Sequence, residues 1–103
     1  MNAKQELQKE LQEIGKKPVC ATIHDAWGSN RGISVTLKSG YTDQEFEEFL
    51  DKLDFEYDAG YGMQYIDGIV WFEDTSWLKR NEYDGSEWWA YMNTPDIPDS
   101  LIN

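Results

Sequence analysis

Apolar residues recur over the first fifteen positions at the spacing of one face of a helix. The stripe follows intervals of four, four and three residues: Ala3, Leu7, Leu11 and Ile14. This pattern predicts an amphipathic helix over about residues 3–15. Gly15 suits a left-handed cap and Pro18 prevents continuation, so the helix is expected to end near residue 15.

A second helix is predicted by the capping box Thr42-Asp43-Gln44-Glu45. In such a box, Thr42 accepts a hydrogen bond from the backbone amide of Glu45, and the Glu45 side chain reaches back. Apolar residues then follow at positions i, i+3, i+4 and i+7: Phe46, Phe49, Leu50 and Leu53. The opposite face of this helix is acidic.

Two segments, at residues 19–24 and 33–38, alternate between apolar and polar residues, as half-buried strands do. The loop between them is rich in Gly, Ser and Asn, which predicts a hairpin with a long tip. Later strands are expected at about residues 62–66, 69–73, 77–83 and 87–92. Turns are expected at Asp67-Gly68, Asp74-Thr75-Ser76 and Asp84-Gly85.

These elements predict a single α+β domain over residues 1–103. Its sheet is antiparallel, with five or six strands that end in a meander, and two amphipathic helices pack on one face. The order along the chain is helix, hairpin, helix, meander. Residues 94–103, with Pro95 and Pro98, are expected to lie over the surface as an extended strap.

Charge is distributed very unevenly along the chain, whose net charge is −11. Residues 1–40 carry six bases against four acids, a net of +2, whereas residues 41–103 carry three bases against sixteen acids, a net of −13. Such a chain repels nucleic acid and anionic membranes and attracts basic proteins. The expected partner is therefore a basic protein, with no direct binding to nucleic acid or membrane.

The single cysteine and single histidine restrict the chemistry of the chain. Cys20 and His24 cannot form a disulfide or a four-ligand zinc site by themselves. On a strand they lie roughly 13 Å apart, and His24 and Asp25 point to opposite faces, so neither pair forms a catalytic dyad. A reducing compartment is indicated, and since no export signal or membrane span is evident, we expect a cytoplasmic protein.

Acids at alternate positions resemble the start of a calcium-binding loop. Asp54, Glu56 and Asp58 take its first three ligand positions, but Ala59 stands where the loop needs glycine and Tyr65 where it needs a bidentate acid. The calcium loop is therefore rejected. We expect no catalytic residue, metal or cofactor, and hence a protein that is not an enzyme.

Acidic residues are concentrated over residues 43–58, which hold eight acids and one base. On the helix portion, five acids over eleven residues at a rise of ~1.5 Å give about one charge per 3.3 Å, close to the ~3.4 Å per phosphate of one DNA strand. The expected partner-binding residues are Asp43, Glu47, Glu48, Asp51, Asp54, Glu56 and Asp58. The alternative is an ordinary solvated helix face that keeps the protein soluble.

Aromatic residues cluster in the C-terminal half of the chain. Trp88 and Trp89 are neighbours on a strand, so only one of them can enter the core. The outward ring is either covered by the protein's own segments or forms an interaction surface, and Trp27, in the hairpin tip, has the same alternatives. The candidate residues for an aromatic pocket or surface are Trp27, Trp71, Trp77, Trp88 and Trp89.

The run WFEDTSWLKRNEYDGSEWWAYMNTPDIP, which begins at Trp71, resembles a recurring ending of small uncharacterised proteins encoded by phages, prophages and other mobile elements. The residues that carry the resemblance are Asp74, Trp77, Leu78, Arg80, Glu82, Tyr83, Asp84, Gly85, Ser86, Glu87, Trp88, Trp89, Pro95 and Pro98. The resemblance covers about a quarter of the chain and brings no activity with it. It implies an accessory protein that acts on host machinery, unless the motif is purely structural.

The sequence thus predicts a non-enzymatic phage or mobile-element accessory protein in the host cytoplasm. It is expected to block a basic host protein, one that handles nucleic acid, through electrostatic contact of the DNA-mimic kind. The alternative is a module that binds a small ligand or nucleotide in an aromatic pocket, and an unrecognised enzyme ranks last. Monomer and homodimer both stay open.

Overall fold

The computed structural model describes residues 1–26, 32–57, 64–83 and 86–93. The elements, in chain order, are α1 (Ala3–Ile14), β1 (Cys20–Asp25), β2 (Ser34–Leu37), α2 (Asp43–Asp51), β3 (Ile66–Trp71), β4 (Trp77–Tyr83) and β5 (Ser86–Met92). They form a five-stranded antiparallel sheet in the order β2-β1-β3-β4-β5. The predicted α+β class and element order are confirmed.

Helix α1 begins and ends at the predicted signals. The side chain of Asn2 accepts a hydrogen bond from the backbone amide of Gln5 and caps the first turn. Gly15 takes the left-handed conformation, with φ of 74°, and its amide donates to the carbonyl of Leu11. The apolar stripe faces the core, where Ala3 and Leu7 are fully buried.

Helix α2 has the capping box that the sequence predicts. The amide of Glu45 donates to the Thr42 hydroxyl at 3.1 Å, and the amide of Thr42 donates to the Glu45 carboxylate at 2.9 Å. Phe49 and Leu50 are buried on the inner side of the helix. The acidic residues therefore face outward.

The core lies on one face of the sheet, beneath both helices. Inward positions of the strands are buried: Ala21, Ile23, Val35, Leu37, Ile66, Val70, Leu78 and Trp89. They form one cluster with Leu7 of α1 and Phe49 of α2. The other face of the sheet, here called the outer face, has polar and aromatic side chains that are partly or fully exposed. None of the helices in the described residues is long and apolar enough to cross a bilayer.

The predicted turn at Asp67-Gly68 is wrong, because both residues lie inside β3. His24 pairs with Asp67 and Ile23 pairs with Gly68, so one strand runs from Ile66 to Trp71 through the expected turn. A Cβ at Gly68 would lie 2.4 Å from the carbonyl oxygen of Thr22. Glycine at this position permits the close approach of β1. Glycine is also typical of tight turns, which is why the same dipeptide predicted one.

The turn expected at residues 74–76 is confirmed. The amide of Phe72 donates to the carbonyl of Ser76 at 3.0 Å, and Thr75 adopts a positive φ of 65° between the strands. The turn expected at Asp84-Gly85 and the strap expected at residues 94–103 lie outside the described residues.

We expect Gly68→Ala to lower the free energy of unfolding by about 3 kcal/mol, because the added methyl group meets the backbone of β1. Gly40→Ala is the matched control: Gly40 has a φ of 81° but nothing within 4 Å of its Cβ position, so only about 1 kcal/mol of backbone strain is expected. Urea unfolding measures both values. Equal losses would contradict the close approach.

Candidate functional site

The exposed face of α2 carries an acidic stripe, made of Asp43, Glu47 and Asp51. These residues follow one another at intervals of four, so their side chains lie in one row along the helix. Glu48 is exposed beside the row and accepts a hydrogen bond from Gln44 at 3.2 Å. The structure thus brings four of the seven predicted contact residues onto one helix face.

Each end of the acidic stripe has a lysine from the N-terminal part of the chain. The ammonium of Lys4 lies 2.8 Å from Asp51, and that of Lys17 lies 3.9 Å from Asp43. Glu47, between them, makes no hydrogen bond or ion pair with any described residue. The negative charge in the middle of the stripe is therefore the one that no described cation contacts.

Asp54 and Glu56 are exposed, but both bind the start of the chain. The Asn2 amide donates to Asp54 at 2.9 Å and to Glu56 at 3.3 Å, and the N-terminal ammonium lies 3.3 Å from Glu56. These two acids hold in place the N-cap residue of α1 and the residue before it. Asp58, predicted with them, lies outside the described residues.

The two acidic groups share one electrostatic field. The hydrogen bond to Asp51 raises the pKa of Lys4, and the charges of Asp51, Asp54 and Glu47 add to this effect. Asp54 thus lies near enough to the stripe to act on the same ammonium. A basic partner that approaches α2 meets both groups of carboxylates.

The predicted aromatic residues that the structure describes are divided between the two faces of the sheet. Trp89 is buried on the inner face, whereas Trp71 and Trp88 are exposed on the outer face, as strand alternation requires. Trp77 pairs with Trp71, but Trp88 pairs with Asn81, four positions further along β4. Trp27 lies outside the described residues, and neither large cleft found among the others is lined by tryptophan.

The side chains of His24 and Asp25, which were considered as a catalytic dyad, do not hydrogen-bond to each other. The imidazole Nδ1 lies 2.9 Å from the backbone carbonyl of Asp25. The Asp25 carboxylate accepts hydrogen bonds from the amides of Gly32 and Ile33, at 2.6 and 3.1 Å. The carboxylate therefore holds the base of the β1–β2 hairpin.

Inside the core lies a charge network that the sequence analysis missed, centred on Arg80. The side chains of Arg80 and Glu87 are fully buried, and Arg80 Nε donates to Glu87 Oε2 at 2.9 Å. Arg80 Nη1 also lies 2.9 Å from Glu6 Oε2, and Nη2 donates to the hydroxyl of Tyr57 at 2.5 Å. The guanidinium further lies over the ring of Trp89, 5.1 Å from its centroid.

Backbone donors and a tyrosine complete this network. Glu87 accepts hydrogen bonds from the amides of Tyr65 and Ile66, at 2.6 and 3.3 Å, and the Tyr57 hydroxyl donates to Glu6. Burial, together with the hydrogen bond to Glu6, raises the pKa of Tyr57, so the phenol stays protonated. Two of the residues that carry the phage-protein resemblance, Arg80 and Glu87, thus have a structural role in this fold.

A second missed cluster lies at the surface, around Lys16. Its ammonium hydrogen-bonds to Asp74 and Tyr91, and Ser76 donates to the same carboxylate. The hydrogen bonds from Lys16 and Ser76 lower the pKa of Asp74 to about 2, and Lys16 also lowers the pKa of Tyr91. A cleft of about 620 Å³ opens beside it, with Tyr41 among its lining residues.

Comparison with known protein families, with curated proteins and with solved structures found no match to this chain. The assignment of a function therefore rests on the geometry and charge of the residues themselves.

Arg80→Met should lower the free energy of unfolding by about 3–5 kcal/mol, because Glu6 and Glu87 would stay buried without their cation. Lys17→Met, which removes an exposed partner of Asp43, should leave stability unchanged within error. Chemical denaturation of the two variants measures the difference. A small effect of Arg80→Met would contradict the proposed role of the network.

The Asp74 carboxyl should titrate with a pKa of about 2 in the folded protein, against an ordinary value of 3.8. Since the folded pKa is the lower one, this carboxylate stabilises the fold above about pH 4 and loses that effect as the pH falls towards 2. Lys16→Met should raise the pKa of Asp74 towards its ordinary value, as measured by carbon-detected NMR titration. An unshifted titration in this variant would contradict the ion pair, and Lys17→Met is the control.

Proposed function

We propose that the protein is a non-enzymatic binding protein that blocks a basic host protein through the carboxylates of α2 and residues 54–56. The observation that carries the proposal lies on the acidic face of α2. Glu47 in the acidic stripe and Glu48 beside it are exposed without an ion pair to any described residue. A partner's lysines or arginines would supply the missing cations.

The overall charge supports the same partner class. A net charge of −11 creates a field that accelerates encounter with a basic surface and disfavours contact with nucleic acid. The chain's own Lys4 and Lys17 already lie at the ends of the stripe, so its carboxylates can bind ammonium groups at contact distance. The unpaired middle is left for a partner.

The concentration of carboxylates on α2 supports a partner that handles nucleic acid. Consecutive members of the stripe rise about 6 Å along the helix, and Glu48 adds a charge beside it. Carboxylates on a helix present negative charge to the basic groups with which a nucleic-acid-binding protein receives phosphates. Blockade would be steric and electrostatic, and the resemblance of the C-terminal run suggests a phage or mobile-element origin in a host cell's cytoplasm.

The alternative of a tryptophan-lined ligand pocket has less support. Trp71 and Trp77 lie side by side on the outer face, and Trp88 lies roughly 13 Å further along the strands. Tryptophans with such spacing along one face of the sheet do not converge on one point, as the groups that line small-ligand sites do.

The double change Glu47→Lys with Glu48→Lys should reduce capture of basic proteins by about tenfold or more, because it reverses the unpaired charges. Tagged protein would be incubated with nuclease-treated host lysate, washed at rising salt and competed with DNA, and captured proteins identified by mass spectrometry. Capture by the native protein should fall with salt and with added DNA.

The matched control is Glu13→Lys with Glu73→Lys, which makes the same charge change at exposed positions away from α2. This control should retain most of the captured protein. Equal loss in both double variants would show that net charge alone drives binding, and salt-resistant capture would argue against the electrostatic mechanism.

A further inference from the structure

Strand β5 is an unusual sheet edge. It lies at the end of the strand order and has seven residues, whereas β2, at the opposite edge, has four. Among the described residues, β5 pairs only with β4, so alternate backbone amides and carbonyls along its other side have no strand partner. Its only charged residue, Glu87, is buried and bound to Arg80.

Edge strands that must stay single usually carry protective features, and most of these are missing from β5. The charge of Glu87 points inward, but it is paired with Arg80. Lysine, proline, a bulge or short length normally prevents pairing with another chain. None of these occurs in the continuous register from Ser86 to Met92, and β2 by contrast is short.

Exposed apolar side chains are concentrated on the same strand. Trp88 and Met92 are 42% and 40% exposed on the outer face, and Tyr91 is 41% exposed on the inner side. Large apolar groups on both sides of an open edge are typical of an interface strand, since a neighbouring strand would cover them.

We propose that β5 pairs antiparallel with β5 of a second copy, to form a continuous ten-stranded sheet. The register that pairs all seven residues places Trp89 on the two-fold axis, and Trp88 opposite Ala90 of the second copy. This register keeps inner residues beside inner residues, as sheet geometry requires. It also sets a large side chain against a small one on the outer face.

Charge and hydrogen bonding favour a second copy as the occupant. The exposed residues of β5 are uncharged, so two acidic chains can meet here without placing carboxylates directly opposite one another. The open side of β5 offers a second copy backbone amides and carbonyls along the whole strand.

The dimer and the binding of a basic partner respond oppositely to salt. Added salt screens the repulsion between two chains of net charge −11 and should strengthen the dimer, whereas it should weaken the acidic contact of α2. Since a single strand pair buries less than the ~1,200 Å² of a standard interface, dissociation in the micromolar range is expected.

Sedimentation equilibrium of the full chain, over a range of concentrations at low and high salt, tests the proposal. We expect a monomer–dimer equilibrium that shifts towards dimer with salt. Trp88→Lys should raise the dissociation constant by about 30-fold or more, as for loss of a central interface side chain. Met92→Lys should act in the same direction at the end of the strand.

The matched control is Trp71→Lys, because Trp71 is 39% exposed on the same outer face but lies on β3, away from the edge. It should dimerise like the native chain. Circular dichroism and thermal unfolding select the variants that remain folded. A native chain that stays monomeric at all concentrations and salts would overturn the proposal, and so would equal weakening by Trp71→Lys and Trp88→Lys.

Discussion

A single buried cation, the guanidinium of Arg80, holds together the parts of the fold that are furthest apart in sequence. It binds Glu6 from α1, Tyr57 from the segment after α2, and Glu87 from β5. Glu87 in turn accepts hydrogen bonds from two backbone amides at the start of β3, one of them from the residue before the strand. A charge removed from water is tolerated only when every partner is in place. The network therefore specifies how α1 lies across the sheet, beyond what its apolar stripe can do.

The surface follows from this arrangement. With α1 fixed, Lys4 and Lys17 reach the two ends of the acidic stripe, and Lys16 reaches Asp74 in the turn between β3 and β4. Four of the nine cations of the chain, Lys4, Lys16, Lys17 and Arg80, are thus used in ion pairs within the described part of the molecule. The acids that exceed them in number define the outward charge, while the outer face and β5 present aromatic rings instead.

Local signals in the sequence predicted the helices well, because caps and apolar stripes act over a few residues. Thr42 and Glu45, and Gly15, appear where expected. The turn predicted at Asp67-Gly68 was wrong because glycine occurs both in turns and where two strands lie close together. The nearby backbone of Thr22, which shows that Gly68 has the second role, comes from a distant part of the chain. Strand alternation could have placed Arg80 on the inward side of β4, together with Leu78. Its partners come from distant segments, so the sequence pattern could not identify them. Lys16 and Asp74, likewise, meet only in the folded chain.

Carboxyl footprinting of the complex would examine the acidic surface most directly. Aspartate and glutamate side chains would be labelled covalently in the free protein and in the presence of the captured basic partner, and the extent of labelling read by mass spectrometry. The account predicts strong protection of Asp43, Glu47 and Glu48, with Glu13 and Glu73 labelled equally in both states. Unchanged labelling of the α2 acids in a formed complex would contradict it.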